Sequence, residues 1–254
     1  MLARERQNKI VEMVNANGSV LVKELSEMFD VTEDSIRKDL SLLEKNGLLK
    51  KTYGGAVKNR VNTHELYVSQ RKGKNVEEKK EIAKNAFKLL EEGDVIFLDI
   101  STINIELIRL IVEANLKITV ATNMIDVMLS FTAPSDTKLL FIGGKLNRGR
   151  DGFIGSYTNK QVSEFCFDKA FMGVVGVDLD RNKVYTYATD DAMTKRAIMD
   201  ASDESYMLME NGKFSREGNY RYANVEDFTG IITNKEPSEE ILPKLSGYDI
   251  QIMY

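Results

Sequence analysis

The chain has 254 residues, 43% apolar and 29% charged, with a net charge of −4 and an isoelectric point near 5.4. This length admits one large domain or two unequal ones, and the composition excludes wholesale disorder. A single cysteine, Cys166, and a single histidine, His64, exclude an internal disulfide and leave little for a metal site, while the charged opening and the lack of any membrane-length apolar run predict a cytoplasmic chain with no membrane partner.

Charge is uneven along the sequence. Residues 1–60 hold 11 basic against 9 acidic side chains, leaving 24 against 30 for the remainder. Residues 45–60 carry Lys45, Lys50, Lys51, Lys58 and Arg60 with no acid among them, a local cationic patch.

The first helix is marked by Ile10, Met13 and Val14 and stops at Asn17-Gly18, where glycine accepts the left-handed conformation that ends a helix. After a short Ser19-Val20-Leu21 link, Leu25, Met28 and Phe29 define a second helix that breaks at Asp30-Val31. Thr32 is placed to cap a third helix whose first turn holds Glu33 and Asp34, where the helix dipole favours negative charge. Its apolar stripe is Ile36, Leu40 and Leu43, so Lys38, Ser41 and Lys45 face away, with Ser35 and Arg37 on the flanks. A stop at Asn46-Gly47, a strand over residues 48–53 and a Gly54-Gly55 turn returning through Ala56 and Val57 then read as a wing.

Residues 1–57 thus read as a winged helix-turn-helix. Lys50 and Lys51, with Tyr53, Gly54 and Gly55 at the hairpin tip, would meet phosphates of double-stranded DNA, while Ser35, Arg37, Lys38, Ser41 and Lys45 lie on the face of a helix entering the major groove. Spacing alone also admits, as the lesser reading, a three-helix bundle with a solvated charged face.

Residues 58–75 are polar, without apolar period, and read as a linker. Residues 76–254 alternate helix and strand. Helices are predicted from Val76 to the Glu92-Gly93 stop, along Ile105, Leu107, Ile108, Ile111 and Val112, over residues 125–131, near 160–165, over 191–201 and near 238–245. Strands are predicted over residues 94–99, 117–121, 138–142, 170–177, 205–209, 229–233 and 250–253. The alternation implies an α/β sensor domain. In such sheets ligands sit beyond the carboxyl ends of strands. This singles out Asp99, Ser101 and Thr102 after the first strand, Thr122 and Asn123 after the second, and Gly143, Gly144 and Lys145 after the third. Hydroxyl-rich turns entering helices present backbone N–H groups to an anion, although each turn taken alone reads first as an ordinary helix cap. Arg148 and Arg150, flanking Gly149, either meet an anion or face water. Cys166, between Phe165 and Phe167, is expected in the core.

The run Val31-Thr32-Glu33-Asp34-Ser35-Ile36-Arg37-Lys38-Asp39-Leu40, then Leu43-Glu44-Lys45-Asn46-Gly47-Leu48 and Tyr53-Gly54-Gly55-Ala56, resembles the DeoR family of bacterial transcription regulators. Further family-like elements follow in order: Ile82-Ala83, Phe97-Leu98-Asp99, Thr122-Asn123, Gly143-Gly144, Phe171-Met172-Gly173, Gly176-Val177-Asp178 and Lys213-Phe214. The resemblance implies a sensor fold shared with ribose-5-phosphate isomerase and coenzyme A transferases, a phosphorylated sugar or related metabolite as effector, repression of carbohydrate uptake or breakdown genes, no cofactor and no catalysis. It makes Lys213 the principal anion contact. Two segments depart from the family pattern: Asp-Ser-Gly-Thr-Thr reads Asp99-Ile100-Ser101-Thr102-Ile103, and Asp-x-Ser-Lys-Phe reads Glu210-Asn211-Gly212-Lys213-Phe214. A homo-dimer or homo-tetramer is expected, because one small module contacts too little DNA for tight specific binding. The competing readings are an isomerase-like enzyme using Asp99, Lys213, Asp190 and Asp191, and an adaptor that has lost DNA binding.

Overall fold

A computed structural model describes residues 3–45, 48–58, 71–147, 149, 151–214 and 216–254. The Asn46-Gly47 stop, His64 with most of the expected linker, and Arg148 and Arg150 lie outside the described residues. The chain divides into two compact units, Met1–Val61 and Asn62–Tyr254.

The first unit runs α1 (Ala3–Asn17), β1 (Ser19–Leu21), α2 (Val22–Phe29), α3 (Glu33–Lys45), β2 (Leu49–Thr52) and β3 (Gly55–Lys58). Ile10 and Val14 of α1, Leu25 of α2 and Ile36, Leu40 and Leu43 of α3 close its core, the helical spacing bringing each set onto one face. Met28, expected in that core, is exposed, and Val22 with Leu25 takes its place. The expected link over residues 19–21 is a strand. It pairs antiparallel with β3, Val20 opposite Ala56, in the order β1-β3-β2. Gly55 makes this pairing possible, since a Cβ there would lie 2.1 Å from the Val20 carbonyl oxygen.

The second unit contains α4 (Val76–Phe87), β4 (Val95–Leu98), α5 (Thr102–Glu113), β5 (Thr119–Thr122), α6 (Ile125–Met128), β6 (Lys138–Phe141), β7 (Lys145–Leu146), β8 (Phe153–Ile154), α7 (Ser156–Val162), β9 (Phe167–Gly173), β10 (Gly176–Asp178), β11 (Lys183–Thr186), α8 (Thr189–Asp200), β12 (Ser202–Leu208), β13 (Tyr220–Ala223), β14 (Gly230–Ile232), α9 (Leu242–Leu245) and β15 (Gln251–Met253). Among the described residues, a seven-stranded sheet in the order β15-β14-β12-β9-β4-β5-β6 forms its centre, every pairing parallel. Both faces are covered, as a parallel sheet requires. Ile96 and Leu98 face a core with Ile82, Ala83, Leu107 and Ile108 of α4 and α5. Phe97, one residue out of phase, faces a second core with Val162 of α7 and Ile198 of α8.

Several expected elements move. The strand over 170–177 divides into β9 and β10, the helix near 160–165 is α7, beginning four residues earlier, and those over 125–131 and 238–245 shrink to the single turns α6 and α9. The β7–β8 hairpin and the small sheet β10-β11-β13 were not foreseen, because strands of two to four residues carry too little alternation to register. Cys166 is exposed. Phe165 and Phe167 stack at 5.6 Å between ring centroids, and the residue between them therefore points the other way.

Candidate functional site

In the first unit Thr32 caps α3 as its position suggested: its Oγ1 accepts from the Ser35 N–H at 3.3 Å and lies 3.0 Å from the Ser35 hydroxyl. Asp39, on the buried side of α3, accepts from Arg6 Nε at 2.6 Å and from Gln7 Nε2 at 2.7 Å, which fixes α3 against α1. Its outer face is thereby set. Lys38 and Lys45 there, and Lys50 on β2, are exposed and make no ion pair among the described residues. Arg37 folds back on the first turn, 2.5 Å from Glu33 and 2.9 Å from Asp34. Lys51 ties the wing to α3, donating its Nζ to Ser41 at 2.8 Å and its backbone N–H to Glu44 at 2.8 Å. Tyr53 is fully exposed at the hairpin tip beside Gly54, whose φ is +81°. These elements form a continuous helix-and-hairpin surface carrying cations.

In the second unit the chain leaves β4 towards β5 and β6, then returns to β9 on the other side of β4. The crevice beyond the carboxyl ends of β4 and β9 is thus the topological switch point. Asp99 follows β4 there and is buried. Its Oδ2 accepts from the Gly173 N–H at 3.0 Å and from Lys195 Nζ of α8, which also donates to the Gly173 carbonyl at 2.9 Å. Burial raises the Asp99 pKa, and Lys195 opposes it. Burial would lower that of Lys195, but Asp99 and Asp191 together raise it. Asp191, in the first turn of α8, accepts from Thr186. The Tyr222 ring lies 5.8 Å from the Lys195 ammonium, its hydroxyl buried with no hydrogen-bond partner among the described residues. Burial, then Asp99 and Asp191, hold its pKa well above the ordinary value.

The other turns divide. Ser101 caps α5, accepting from the Ile103 N–H at 3.3 Å, and Thr102 is the first residue of that helix. A Cβ on Gly173 would lie 2.7 Å from that of Ser101, so the serine fills the space above the glycine. Thr122 donates to the Leu98 carbonyl at 2.7 Å and accepts from Met124 N at 3.0 Å. Asn123 donates to the Phe153 carbonyl at 2.8 Å and keeps a buried Oδ1 with no partner among the described residues. Gly143 accepts from Thr158 and Gln161 of α7, each at 3.0 Å, Gly144 lies against Thr158, and Lys145 pairs with Asp190 at 3.0 Å. Gly143 and Gly144 thus pack on α7, while Lys145 makes an exposed pair with the first turn of α8.

Lys213 follows β12 in a short turn, its Nζ donating to the Val174 carbonyl at 2.7 Å. Burial pushes its pKa down to about 8, Glu210 opposing and Arg216, Arg71 and Lys79 reinforcing the drop. Lys79 is buried on α4 and donates to the carbonyls of Arg71 at 2.7 Å and Lys74 at 2.5 Å. Its pKa is likewise lowered by burial, with Glu210 acting against. Arg71 pairs with buried Asp151 of the β7–β8 hairpin and Lys72 with Asp126 of α6. Three cations, nearby Arg216 and the sequence-distant Arg71 and Lys79, thus act on Lys213.

Sequence reasoning named Lys213 alone among these and missed Lys195. A signal was present: Lys79 occupies the same stripe as Ile82, Ala83 and Ala86, and Lys195 the stripe of Asp191, Ala192, Ile198 and Met199. A lysine on a buried stripe requires a partner inside the fold.

Residues 6–61 match the DeoR-like helix-turn-helix domain, and residues 74–235 match the DeoR C-terminal sensor domain. The chain belongs to the DeoR family. Among its relatives, the HTH-type transcriptional regulator YulB of Bacillus subtilis is 32% identical, covering 92% of this chain and 90% of that protein. The lactose phosphotransferase system repressor of Lactococcus lactis is 29% identical over 98% and 97% of the two chains. The glycerol-3-phosphate regulon repressor of Escherichia coli is 29% identical over 99% of each. Among solved structures, ribose 5-phosphate isomerase A of Methanocaldococcus jannaschii matches 55% of this chain and 54% of its own at 18% identity and a TM-score of 0.40. Within the DeoR architecture, the α3 and wing surface falls in the helix-turn-helix match and the switch-point cluster in the sensor match. No helix among the described residues is long and apolar enough to cross a membrane.

Proposed function

We propose that this DeoR-family regulator is a cytoplasmic repressor of genes for carbohydrate uptake or breakdown, a homo-dimer or homo-tetramer whose sensor unit takes a phosphorylated sugar or related metabolite. The observation that carries the effector half is the setting of Lys213. Its ammonium rests on a backbone carbonyl in the company of Arg71, Lys79 and Arg216, with Glu210 the carboxylate acting on it. This gathering of cations, with Arg71 also paired to Asp151, suits a dianionic phosphate ester. The names of the Lactococcus and Escherichia relatives, which concern a sugar transport system and a phosphorylated polyol, agree in chemistry. The DNA half rests on Lys38, Lys45 and Lys50, which stay uncommitted on the groove-facing surface. Catalysis is disfavoured because Asp99 is held by Lys195 and Gly173 and Asp191 by Thr186, leaving neither as a ready base at the site.

The test has two arms. Duplex binding measured by mobility shift should weaken as salt rises, and Lys50→Ala should lower the log–log salt slope by about 1, as loss of one phosphate contact does. A thermal-shift screen of sugar phosphates should find a ligand that raises the melting temperature, and Lys213→Ala should abolish that rise without turnover being seen in the parent protein. Salt-insensitive binding, or an undiminished shift in Lys213→Ala, would refute the corresponding half.

A further inference from the structure

The segment that enters the sensor unit is pinned at its first described residues. Arg71 is held through Nη2 by Asp151, Lys72 by Asp126, and the carbonyls of Arg71 and Lys74 by the Lys79 ammonium. Asp151 has a wholly buried side chain, and its Oδ1 also accepts from Asn147 at 2.5 Å. The carboxylate grips one edge of the guanidinium only. The Nε of Arg71 is buried and has no acceptor among the described residues, although Arg71 acts electrostatically on both Lys79 and Lys213.

We infer that Asp151 is an internal counter-anion that occupies Arg71 until the effector's anionic group takes its place, so that ligand binding exchanges the Arg71–Asp151 tether for an Arg71–ligand contact and alters how the segment leading from the DNA-binding unit is anchored. The inference rests on the anion-site reading above. A phosphate offers several oxygens and can meet both Nη2 and Nε in the forked geometry that Arg71 leaves half used. The exchange supplies what any effector response requires, a different free energy of ligand binding to the tethered and untethered forms. Because Lys79 holds the carbonyls on either side of this turn, loss of the Asp151 contact is transmitted to residues 71–75 rather than absorbed by one side chain.

Titration of the full-length protein with inorganic phosphate, combined with hydrogen exchange at the amides of residues 71–75, tests this. Asp151→Asn should bind phosphate at least fivefold more tightly than the parent and exchange those amides about tenfold faster before phosphate is added. Asp151→Glu should stay near the parent. Adding Asp151→Asn to Arg71→Gln should produce no further change in affinity, since the competitor has lost its object. Equal or weaker phosphate binding by Asp151→Asn, while the parent binds, overturns the counter-anion and leaves the anion site standing. Absence of binding by both overturns the anion site and the inference with it. Binding by Asp151→Asn alone supports both. The parent supplies an arm that needs no variant: phosphate should speed exchange at residues 71–75, and unchanged exchange at saturation is the contrary result.

Discussion

The outer surface of the helix-turn-helix unit and the interior of the sensor unit handle charge in opposite ways. Away from the buried Arg6–Asp39 pair, the cations on that surface stand in water, and the pairs they form, such as Arg37 with Glu33 and Asp34, are local, exposed and three or four residues apart. In the sensor unit the decisive pairs are buried and long in sequence: Asp99 with Lys195, Arg71 with Asp151. The exposed arrangement keeps side chains exchangeable for phosphates, since an open ion pair contributes about 0–1 kcal/mol and yields readily. Buried pairs instead fix geometry, because removing one partner strands a charge out of water.

The contrast is broken most forcefully at Lys195. Lys195→Met should destabilise the sensor unit by about 3–5 kcal/mol, as expected for a buried carboxylate losing its partner, with denaturant midpoints as the measure. Asp99→Asn combined with Lys195→Met should recover much of that loss. If Lys195→Met alone costs no more than a surface substitution, the switch-point pair is not holding the crevice together.

A pH series sharpens the comparison inside the proposed anion site. Lys213 has a pKa lowered from 10.5 to about 8, so in the free protein its charge fades as pH rises through 8. Sugar phosphates are already dianions above about pH 6–7. Effector affinity should therefore fall above pH 8, by up to tenfold per unit, while Lys213→Arg should flatten the profile over the same range. The stability contribution has the opposite sign. Between about 8 and 10.5 the unfolded chain holds more protons on this lysine than the folded one, so folding stability gains from this group as pH rises. Calorimetric titration from pH 7 to 9.5 gives the first quantity and thermal melts the second.

The same contrast explains what the sequence made legible. Thr32, the Ile36, Leu40 and Leu43 stripe and the outward Lys38 follow from helical period within one segment, and the α/β alternation follows from runs such as residues 95–98 and 119–122. The turns at Asp99, Ser101, Thr122 and Asn123 were locatable because the fold class says where sheets present ligands. Arg71, Lys79 and Asp151 belong to a connector, a helix stripe and a hairpin whose turn folds back on Met124 and Ile125, while Lys195 reaches Asp99 only because β9 returns beside β4. Local pattern carries no record of that return. The inner role of Asp39 escaped for the same reason: its partners Arg6 and Gln7 lie more than thirty positions away.

The smallest expected effects belong to the exposed unit. Thr32→Ala removes the oxygen that accepts the Ser35 N–H and should cost about 1 kcal/mol, the usual loss for a threonine cap, lowering the first transition if the two units unfold separately. Arg37→Ala should cost less still, since its partners are solvated, yet it removes a donor from the flank of α3 proposed to face the groove. Stability and DNA binding should therefore separate at these two positions: Thr32→Ala loses stability and retains affinity for a selected duplex once folded, whereas Arg37→Ala keeps stability and loses affinity. Equal behaviour of the two variants in both assays would mean that Arg37 serves α3 as a first-turn brace and contributes nothing to the duplex contact.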